Sequence, residues 1–181
     1  MKNLILAFFA FFFISNLSAQ MTESIIPLEA QSGELLEVSG NLSDGQPMPT
    51  LDWAWNSSVA CFPKNHEKNF TGNHVLYTID LPAYSEMEIA VVPADKKTNL
   101  SVYAYMVREI TEENTVPNLN RCVRCEVDHA SNIKRQGQAP GTRVVKDILA
   151  LKNPYQVLIG VTGAEGLSEG AYTLKVRVKG K

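Results

Sequence analysis

The stretch HVLYTIDLPAYSEMEIAVVPADKKTNLSVYAYMV, residues 74–107, gives the clearest indication of the fold class of this chain. It contains three runs rich in β-branched and aromatic residues, 74–81, 86–92 and 100–107, and turns that begin with proline separate them. In the second run, acidic and apolar residues alternate in EMEI, which is the two-residue period of a strand with one buried face. The stretch therefore predicts three consecutive β-strands.

The residues on both sides continue this pattern of short strands. Further candidate strands are 35–38, 144–151, 155–161 and 172–178, although 144–151 can also be interpreted as one or two helical turns. The near-continuous apolar run at 155–161 predicts a strand that is buried on both faces. No stretch shows a sustained helical period with caps. We therefore predict an all-β protein, an antiparallel β-sandwich, rather than a sheet of alternating strands and helices.

Residues 109–143 interrupt the strand pattern. They are polar and rich in turn residues, and they contain the motif CVRC at residues 122–125, followed by His129. A segment of this length between two core strands predicts one long, cysteine-bearing loop. Long ordered loops on a rigid scaffold often carry function.

The quoted stretch and a second one, NPYQVLIGVTGAEGLSEGAYTLKVRV at residues 153–178, resemble the bacterial pre-peptidase C-terminal (PPC-like) domain. The shared features are a Leu-Pro-small turn at 81–83, a Val/Ile strand opened by a tyrosine, and a Gly-x-Tyr-Thr-Leu strand at 170–174. The resemblance implies a jelly-roll-like β-sandwich that accompanies secreted hydrolases, is not itself catalytic, and in some relatives binds calcium or insoluble polymers. Residues 98–100 lack the aspartate that many members have there, and the cysteine-bearing segment lies outside the family pattern.

The N-terminal residues predict export from the cytoplasm. Residues 1–19 combine a lysine at position 2, an apolar run at 4–14 and a Leu-Ser-Ala end, which is the pattern of a cleaved signal peptide. The apolar run is shorter than the roughly 20 residues that span a bilayer, and no second long apolar run follows. We therefore expect a secreted or periplasmic chain without a transmembrane segment after cleavage, with residues 20–33 as a polar lead-in and residues 34–181 as one domain.

The charge of the chain gives no indication of a nucleic-acid or lipid partner. It has 17 basic and 19 acidic side chains, and removal of Lys2 with the signal peptide leaves 16 against 19, or −3. A weak balance of mixed sign provides neither a basic face for nucleic acid nor a polybasic patch for anionic lipid.

The three cysteines, Cys61, Cys122 and Cys125, allow three interpretations. Exported proteins meet oxidising conditions, so a disulfide is favoured, and a bridge from Cys61 to Cys122 or Cys125 would tether the long loop more than one between the last two. One thiol would then remain free. Together with His129 the same residues make a Cys₃His set of the kind that binds zinc. As a CxxC motif, Cys122 and Cys125 suggest a redox pair, but the flanking sequence lacks the strand and helix of a thioredoxin-like site.

The motif LDWAW places Trp53 and Trp55 two residues apart. In an extended segment both rings would lie on one face, and an exposed pair would stack on sugar rings. Alternatively, both rings point into the core of the sandwich. We treat this pair as the candidate ligand-binding residues.

The chain has no Gly-x-Ser-x-Gly motif, no His-Glu-x-x-His motif and no phosphate-binding glycine loop, so it carries no catalytic signature. Its acidic residues are dispersed, and we expect no cofactor, with calcium and zinc as the two ions left open. The leading hypothesis is a secreted, non-catalytic binding or accessory module for an extracellular polysaccharide or a protein partner. The alternatives are a metal- or thiol-dependent site at the three cysteines and His129, or a purely structural envelope protein.

Overall fold

The computed structural model describes residues 25–56, 58–132, 137 and 139–180. The predicted signal peptide, residues 1–19, lies outside the described residues. The strands are β1 (Ile26–Leu28), β2 (Leu35–Asn41), β3 (Gln46–Pro47), β4 (Asn73–Leu81), β5 (Ser85–Pro93), β6 (Leu100–Val107), β7 (Arg124–Asp128), β8 (Arg143–Ala150), β9 (Tyr155–Gly163) and β10 (Ala171–Gly180). Short 3₁₀-helices are present at Leu42–Asp44, Asp52–Trp55 and Lys64–Phe70. No helix in the described part of the chain has the length and apolar character needed to cross a membrane.

The strands form two packed sheets, which confirms the predicted all-β sandwich. The first sheet has the order β1-β4-β9-β6-β7, with β3 paired to the start of β4, and the second has the order β2-β10-β5-β8. The β1–β4 pair is parallel, whereas the other strand pairs of the described residues are antiparallel. Because β1 falls within residues 20–33, part of the predicted lead-in is a strand of the sheet.

The strands predicted from residues 74–107 are β4, β5 and β6, and β8 confirms the strand interpretation of residues 144–151. The alternation in β5 has the expected result, because Met87 and Ile89 are fully buried, whereas Glu86 and Glu88 are partly exposed. The prediction of one long loop at 109–143 is wrong in its middle. There β7 pairs with β6 and forms the edge of the first sheet.

The first core lies between the two sheets. It is built from alternate residues of β4, β5, β6, β8, β9 and β10, and β6 contributes Val102, Ala104 and Met106. Burial of one such large apolar side chain contributes about 1.5–3 kcal/mol by removing its surface from water. This core is the one expected of a β-sandwich.

A second core covers the outer face of the first sheet. The outward residues of β6, Tyr103 and Tyr105, are as completely buried as the inward ones. With neighbours on β4 and β9, they pack under two stretches that we call the first capping segment, residues 48–70, and the second capping segment, residues 108–123. Strands β6 and β9 are therefore covered on both sides, which confirms the prediction made for the apolar run at 155–161.

Candidate functional site

Aromatic rings of the second core hold the first capping segment on the sheet. The Trp53 ring centroid lies 5.8 Å from that of Tyr103 and 5.6 Å from that of Tyr105, both in edge-to-face geometry. Phe62 and Phe70 stack, with 3.8 Å between centroids and 11° between ring planes. Such pairs contribute about 0.5–1.5 kcal/mol each beyond the area that they bury.

The local backbone corrects the prediction of an exposed tryptophan pair. Residues 52–55 of the motif LDWAW form a 3₁₀-helix, in which the Ala54 N–H donates to the Leu51 carbonyl at 2.9 Å. The Thr50 carbonyl accepts from Trp53 Nε1 at 3.1 Å. With three residues per turn, Trp53 and Trp55 point in different directions. Trp53 is 7 % exposed. Trp55 is half-buried at the edge of the second core, and the Lys64 ammonium lies 5.4 Å from its ring centroid.

The structure brings the three cysteines together at the edge of the second core. Cys61 belongs to the first capping segment, Cys122 belongs to the second, and Cys125 lies in β7. Cys125 is hydrogen-bonded to both Cys122 and Cys61. All three are free thiols in the structure. The disulfide from Cys61 to Cys122 or Cys125 therefore stays a prediction, but its partners are adjacent.

Hydrogen bonds between the two capping segments and β7 align these thiols. The Cys122 N–H donates to the Ser58 carbonyl at 3.2 Å, and the Cys122 thiol donates to the same oxygen at 3.7 Å. The Cys125 thiol donates to the Ala60 carbonyl at 3.5 Å. Residues 58–61 therefore run alongside residues 122–125, so Cys61 lies next to Cys125, whereas Cys122 lies level with Ser58.

Two of the thiols have raised pKa values, which is the opposite of what a reactive redox pair requires. The hydrogen bond to Cys125 raises the pKa of Cys122, and burial raises it further. At Cys125 the hydrogen bond with Cys122 lowers the pKa, but the hydrogen bond with Cys61 and burial outweigh it, so the net shift is upward. A CxxC redox site lowers its thiol pKa at the start of a helix, whereas here the motif leads into β7.

The Tyr105 hydroxyl is a buried polar group close to the three cysteines. It is fully buried and has no hydrogen-bond partner in the part of the chain that the structure describes. Burial raises its pKa, and the neighbouring Cys61 and Cys125 raise it further. An unpaired buried hydroxyl costs about 1–3 kcal/mol relative to a paired one.

His129 does not join the cysteines. It follows the end of β7, four residues beyond Cys125, and a strand rise of 3.2–3.4 Å per residue separates the two by about 13 Å. Its ring lies 4.7 Å from the His66 ring, its Nδ1 accepts from the Ser131 N–H at 3.2 Å, and Asn69 Nδ2 is 3.4 Å away. Burial lowers its pKa, and His66 lowers it further. The proposed Cys₃His zinc set is not assembled, and no group of three or more His, Cys, Asp or Glu side chains among the described residues can hold a metal ion.

A polar groove of about 700 Å³ opens beside the second capping segment. The residues that give it its chemical character are Arg108, Glu109, Glu113, Asn114, Arg121 and Cys122. Cys122 therefore belongs to both the thiol cluster and the groove. The volume lies within the roughly 300–1,000 Å³ that is usual for ligand pockets.

The second capping segment is held in place by its own amide side chains. Asn114 Nδ2 donates to the Glu109 carbonyl at 2.8 Å, and Asn120 Nδ2 donates to the Glu113 carbonyl at 3.2 Å. The segment is also anchored in the second core by two buried apolar residues, Val116 and Leu119. The groove is thus lined by a loop with fixed internal contacts rather than by an unsupported one.

The charged residues of the groove were not predicted from the sequence, because they lie in a stretch predicted only as loop; they are Arg108, Glu109, Glu113 and Arg121. The sequence does show a concentration of acidic and basic side chains in REITEENTVPNLNR, residues 108–121. Its asparagines are turn formers, and charges of both signs around them are compatible with any solvated loop. Only the packing of this stretch on the sheet turns those charges into one concave surface.

Comparison with known proteins gives matches to solved structures. No family model and no curated protein matches the chain. PliG, a periplasmic inhibitor of g-type lysozyme from Aeromonas hydrophila, is 12% identical over 86% of this chain and 98% of its own, with a TM-score of 0.41. The pre-peptidase C-terminal domain of a Bacillus anthracis collagenase is 11% identical over 87% of this chain and 96% of its own, with a TM-score of 0.40.

A third similar structure is CorA, a surface-associated copper-binding protein of Methylomicrobium album BG8. It is 10% identical over 87% of this chain and 98% of its own, with a TM-score of 0.45. The pre-peptidase C-terminal domain, which the strand pattern of the sequence resembles, is among the solved structures to which this chain is similar.

Proposed function

We propose that this chain is an exported, non-catalytic binding module that holds a segment of a protein partner in the groove at the second capping segment. The observation that carries the proposal is the groove itself, a concave surface of about 700 Å³ with charged lining groups on an internally hydrogen-bonded loop. A surface that is already formed before binding loses little conformational entropy when a ligand enters it. Export rests on the signal-peptide pattern of residues 1–19.

The charges in the groove favour a peptide as the ligand. Arg108 and Arg121 offer guanidinium groups that bind carboxylates through two parallel hydrogen bonds. Glu109 and Glu113 offer carboxylates that accept from amines and from backbone N–H groups. A polypeptide segment supplies charged partners for both kinds of group, whereas a neutral sugar supplies uncharged hydrogen-bonding groups alone.

The structure offers less support for a polysaccharide. Stacking on a sugar needs an open aromatic face, and Trp53 is 7 % exposed. The Trp55 ring is half-buried, and the Lys64 ammonium lies over it at 5.4 Å. A polysaccharide remains the second candidate ligand, and Trp55 is the residue on which that alternative depends.

Nothing in the groove supports catalysis as its role. The Cys122 thiol, one of the nucleophilic side chains that line the groove, has a raised pKa because of its hydrogen bond to Cys125 and its burial. A thiol needs a lowered pKa to act as a catalytic nucleophile at neutral pH. The geometry is better suited to holding a ligand than to transforming it.

The test compares two double charge reversals of equal charge change. Arg108→Glu/Arg121→Glu alters the groove, and Lys96→Glu/Lys97→Glu alters the exposed turn at the opposite end of β6. A partner is first identified by chemical cross-linking of the wild-type protein in an envelope extract, and its affinity is then measured for each variant by calorimetry.

We expect the groove variant to bind at least about tenfold more weakly, as is common when charged groups at the centre of an interface are reversed. The turn variant should bind like the wild type. Equal affinity in both variants would contradict the proposal. Binding to a glycan array that disappears in Trp55→Ala would support the polysaccharide alternative.

A further inference from the structure

We propose that Cys122 is a covalent attachment site for thiol compounds: after Cys61 and Cys125 have joined in a disulfide, Cys122 forms a mixed disulfide with a thiol-bearing ligand in the groove. The inference deepens the proposed function and rests on it, because the ligand reaches Cys122 through the same groove. The ligand class is a thiol, carried either by a small molecule or by a cysteine of a partner protein.

The arrangement of the three thiols assigns different roles to them. Cys125 is hydrogen-bonded to Cys61, which lies next to it, and also to Cys122. Cys122 is displaced toward Ser58 and lines the groove. Cys122 is a lining residue of the groove, whereas Cys61 and Cys125 are not. A chain with three cysteines can close one internal disulfide and leaves one thiol over.

Closure of the internal disulfide changes the reactivity of the remaining thiol. The largest cause of the raised pKa of Cys122 is its hydrogen bond to the Cys125 thiol, followed by burial and by the charge of a Cys125 thiolate. A disulfide between Cys125 and Cys61 weakens the first of these causes and removes the third, because a disulfide sulfur carries no negative charge and is a much poorer acceptor for the Cys122 S–H than a thiolate. The pKa of Cys122 falls toward its ordinary value, and more of it is present as the thiolate that attacks disulfides.

Both steps are thiol–disulfide exchanges with a low-molecular-weight disulfide, RSSR, as the oxidant. In the first, the Cys125 thiolate attacks RSSR and releases RS⁻, and the Cys61 thiolate then attacks the Cys125 sulfur and releases a second RS⁻. Two protein thiols are oxidised, and one RSSR is reduced to two thiols. In the second, the Cys122 thiolate attacks another RSSR, keeps one RS group in a new S–S bond and releases the other as RS⁻. A partner cysteine becomes attached when its thiolate attacks the Cys122 sulfur of this mixed disulfide and releases the RS group as RS⁻.

The first experiment uses oxidised glutathione as the probe. The reduced protein, Cys122→Ser and Cys61→Ser are each incubated with it, and the sulfur bonds are mapped by mass spectrometry of peptides without reduction. We expect the wild type to contain a Cys61–Cys125 disulfide and one glutathione on Cys122. Cys122→Ser should keep the disulfide and carry no glutathione, whereas Cys61→Ser should form the Cys122–Cys125 disulfide instead. A wild-type protein with a Cys122–Cys125 disulfide, or with Cys122 unmodified, overturns the proposal.

The second experiment measures the order of the two steps. Alkylation of Cys122 by iodoacetamide at pH 8 should be about tenfold or more faster in the protein with the internal disulfide than in the reduced protein, since one unit of thiol pKa changes the thiolate fraction about tenfold. Equal rates in the two forms contradict the coupling between the disulfide and Cys122.

Two further comparisons separate this inference from the proposed function and distinguish the source of the thiol. If Cys122→Ser binds the protein partner normally and Arg108→Glu/Arg121→Glu does not, the groove function stands whatever glutathione does. If glutathione attaches to Cys122 while the charge reversal leaves partner binding unchanged, the attachment site stands and the groove function fails.

The source of the thiol is determined in an envelope extract. A small reducible mass on Cys122 indicates a low-molecular-weight thiol, and a reducible protein adduct indicates a partner cysteine. The absence of both adducts would overturn the inference.

Discussion

Gly160 on β9 lies directly opposite Tyr103 on β6, and the tyrosine ring covers the space that a side chain at position 160 would need. A Cβ on Gly160 would overlap the ring. Because this space is empty, the ring of Tyr103 can lie across the sheet, and its hydroxyl donates to Nδ1 of His74 at 3.0 Å. A glycine in the middle of an apolar strand is thus required by its cross-strand neighbour.

Gly160→Ala should destabilise the protein by about 1–3 kcal/mol, the usual cost of overpacking a closely packed core. Urea unfolding followed by tryptophan fluorescence gives the free energy of unfolding. Gly180→Ala is the matched control, because a Cβ there meets only Ser32 Oγ at an ordinary 3.7 Å, and it should change stability by less than about 0.5 kcal/mol. Equal stability of the two variants would show that Tyr103 adjusts without cost.

His74 should make the stability of the protein depend on pH. Its Nε2 donates to the Phe70 carbonyl at 2.8 Å, and burial lowers its pKa from 6.5 to about 4. The unfolded chain takes up a proton near pH 6.5, but the folded protein does so only near pH 4. Stability from this residue is therefore fully present above pH 6.5 and is lost as the pH falls from 6.5 to 4, by about 3 kcal/mol.

Urea unfolding at pH 7.5 and pH 4.5 tests this dependence. His74→Gln, which can still donate and accept hydrogen bonds, should lose less stability between the two pH values than the wild type does. His129 also has a lowered pKa, so a smaller dependence should remain in this variant. His66→Gln serves as the control with one histidine fewer. It should keep most of the wild-type slope and lose only the part of the His129 contribution that His66 causes. A wild-type slope in His74→Gln would exclude His74 as its source.

Two of the buried tyrosine hydroxyls, those of Tyr105 and Tyr77, should respond in opposite ways to removal. The Tyr105 hydroxyl has no partner in the described part of the chain, so Tyr105→Phe should leave the free energy of unfolding unchanged or raise it by about 1 kcal/mol. The Tyr77 hydroxyl is 2.9 Å from that of Tyr172, so Tyr77→Phe should cost about 1–2 kcal/mol. Thermal unfolding of both variants checks the contrast, and a large loss in Tyr105→Phe would reveal a partner for its hydroxyl.

The two tryptophans should differ in their contribution to stability. Trp53→Ala removes a ring that contacts Tyr103 and Tyr105 and should cost about 3–5 kcal/mol. Trp55→Ala removes a half-buried ring at the edge of the second core and should cost about 1 kcal/mol. Chemical denaturation of the two variants measures the difference. Similar losses would mean that both rings are equally important to the second core.

Chelation is the test for the two ions that the sequence analysis left open. No metal-binding group of three side chains is assembled among the described residues, so EDTA should leave the midpoint of thermal unfolding unchanged. Added calcium and added zinc should each leave it unchanged as well. A rise of several degrees with either ion would show that the folded protein binds that ion.

The sequence predicted the strands well where hydrophobic alternation was regular. In β5 acidic and apolar residues alternate because one face of this strand is covered. In β9 the apolar residues are nearly continuous because both of its faces are covered. Strand β7 was missed although its sequence, RCEVD, also alternates. Its five residues are all only partly buried, and polar turns surround it. A short edge strand has few apolar residues because one side of it meets solvent.

The site was less predictable than the fold because it depends on tertiary packing. The exposed-pair hypothesis for Trp53 and Trp55 assumed an extended backbone, but a backbone hydrogen bond from the Ala54 N–H to the Leu51 carbonyl closes a 3₁₀ turn there. The proximity of Cys61 to the CxxC motif was expected only from the compartment of the protein. In the structure it follows from the position of both capping segments on the same sheet face, which no local pattern reports.

The second core implies that this protein cannot be reduced to its two sheets. A protease cut within residues 108–123, or deletion of residues 48–70, would leave Tyr103, Tyr105 and Leu158 facing water as one broad apolar surface. Contiguous surfaces of that kind promote self-association. The sheets would then form aggregates instead of a smaller soluble domain, so the lifetime of the folded protein depends on how long its two capping segments stay intact.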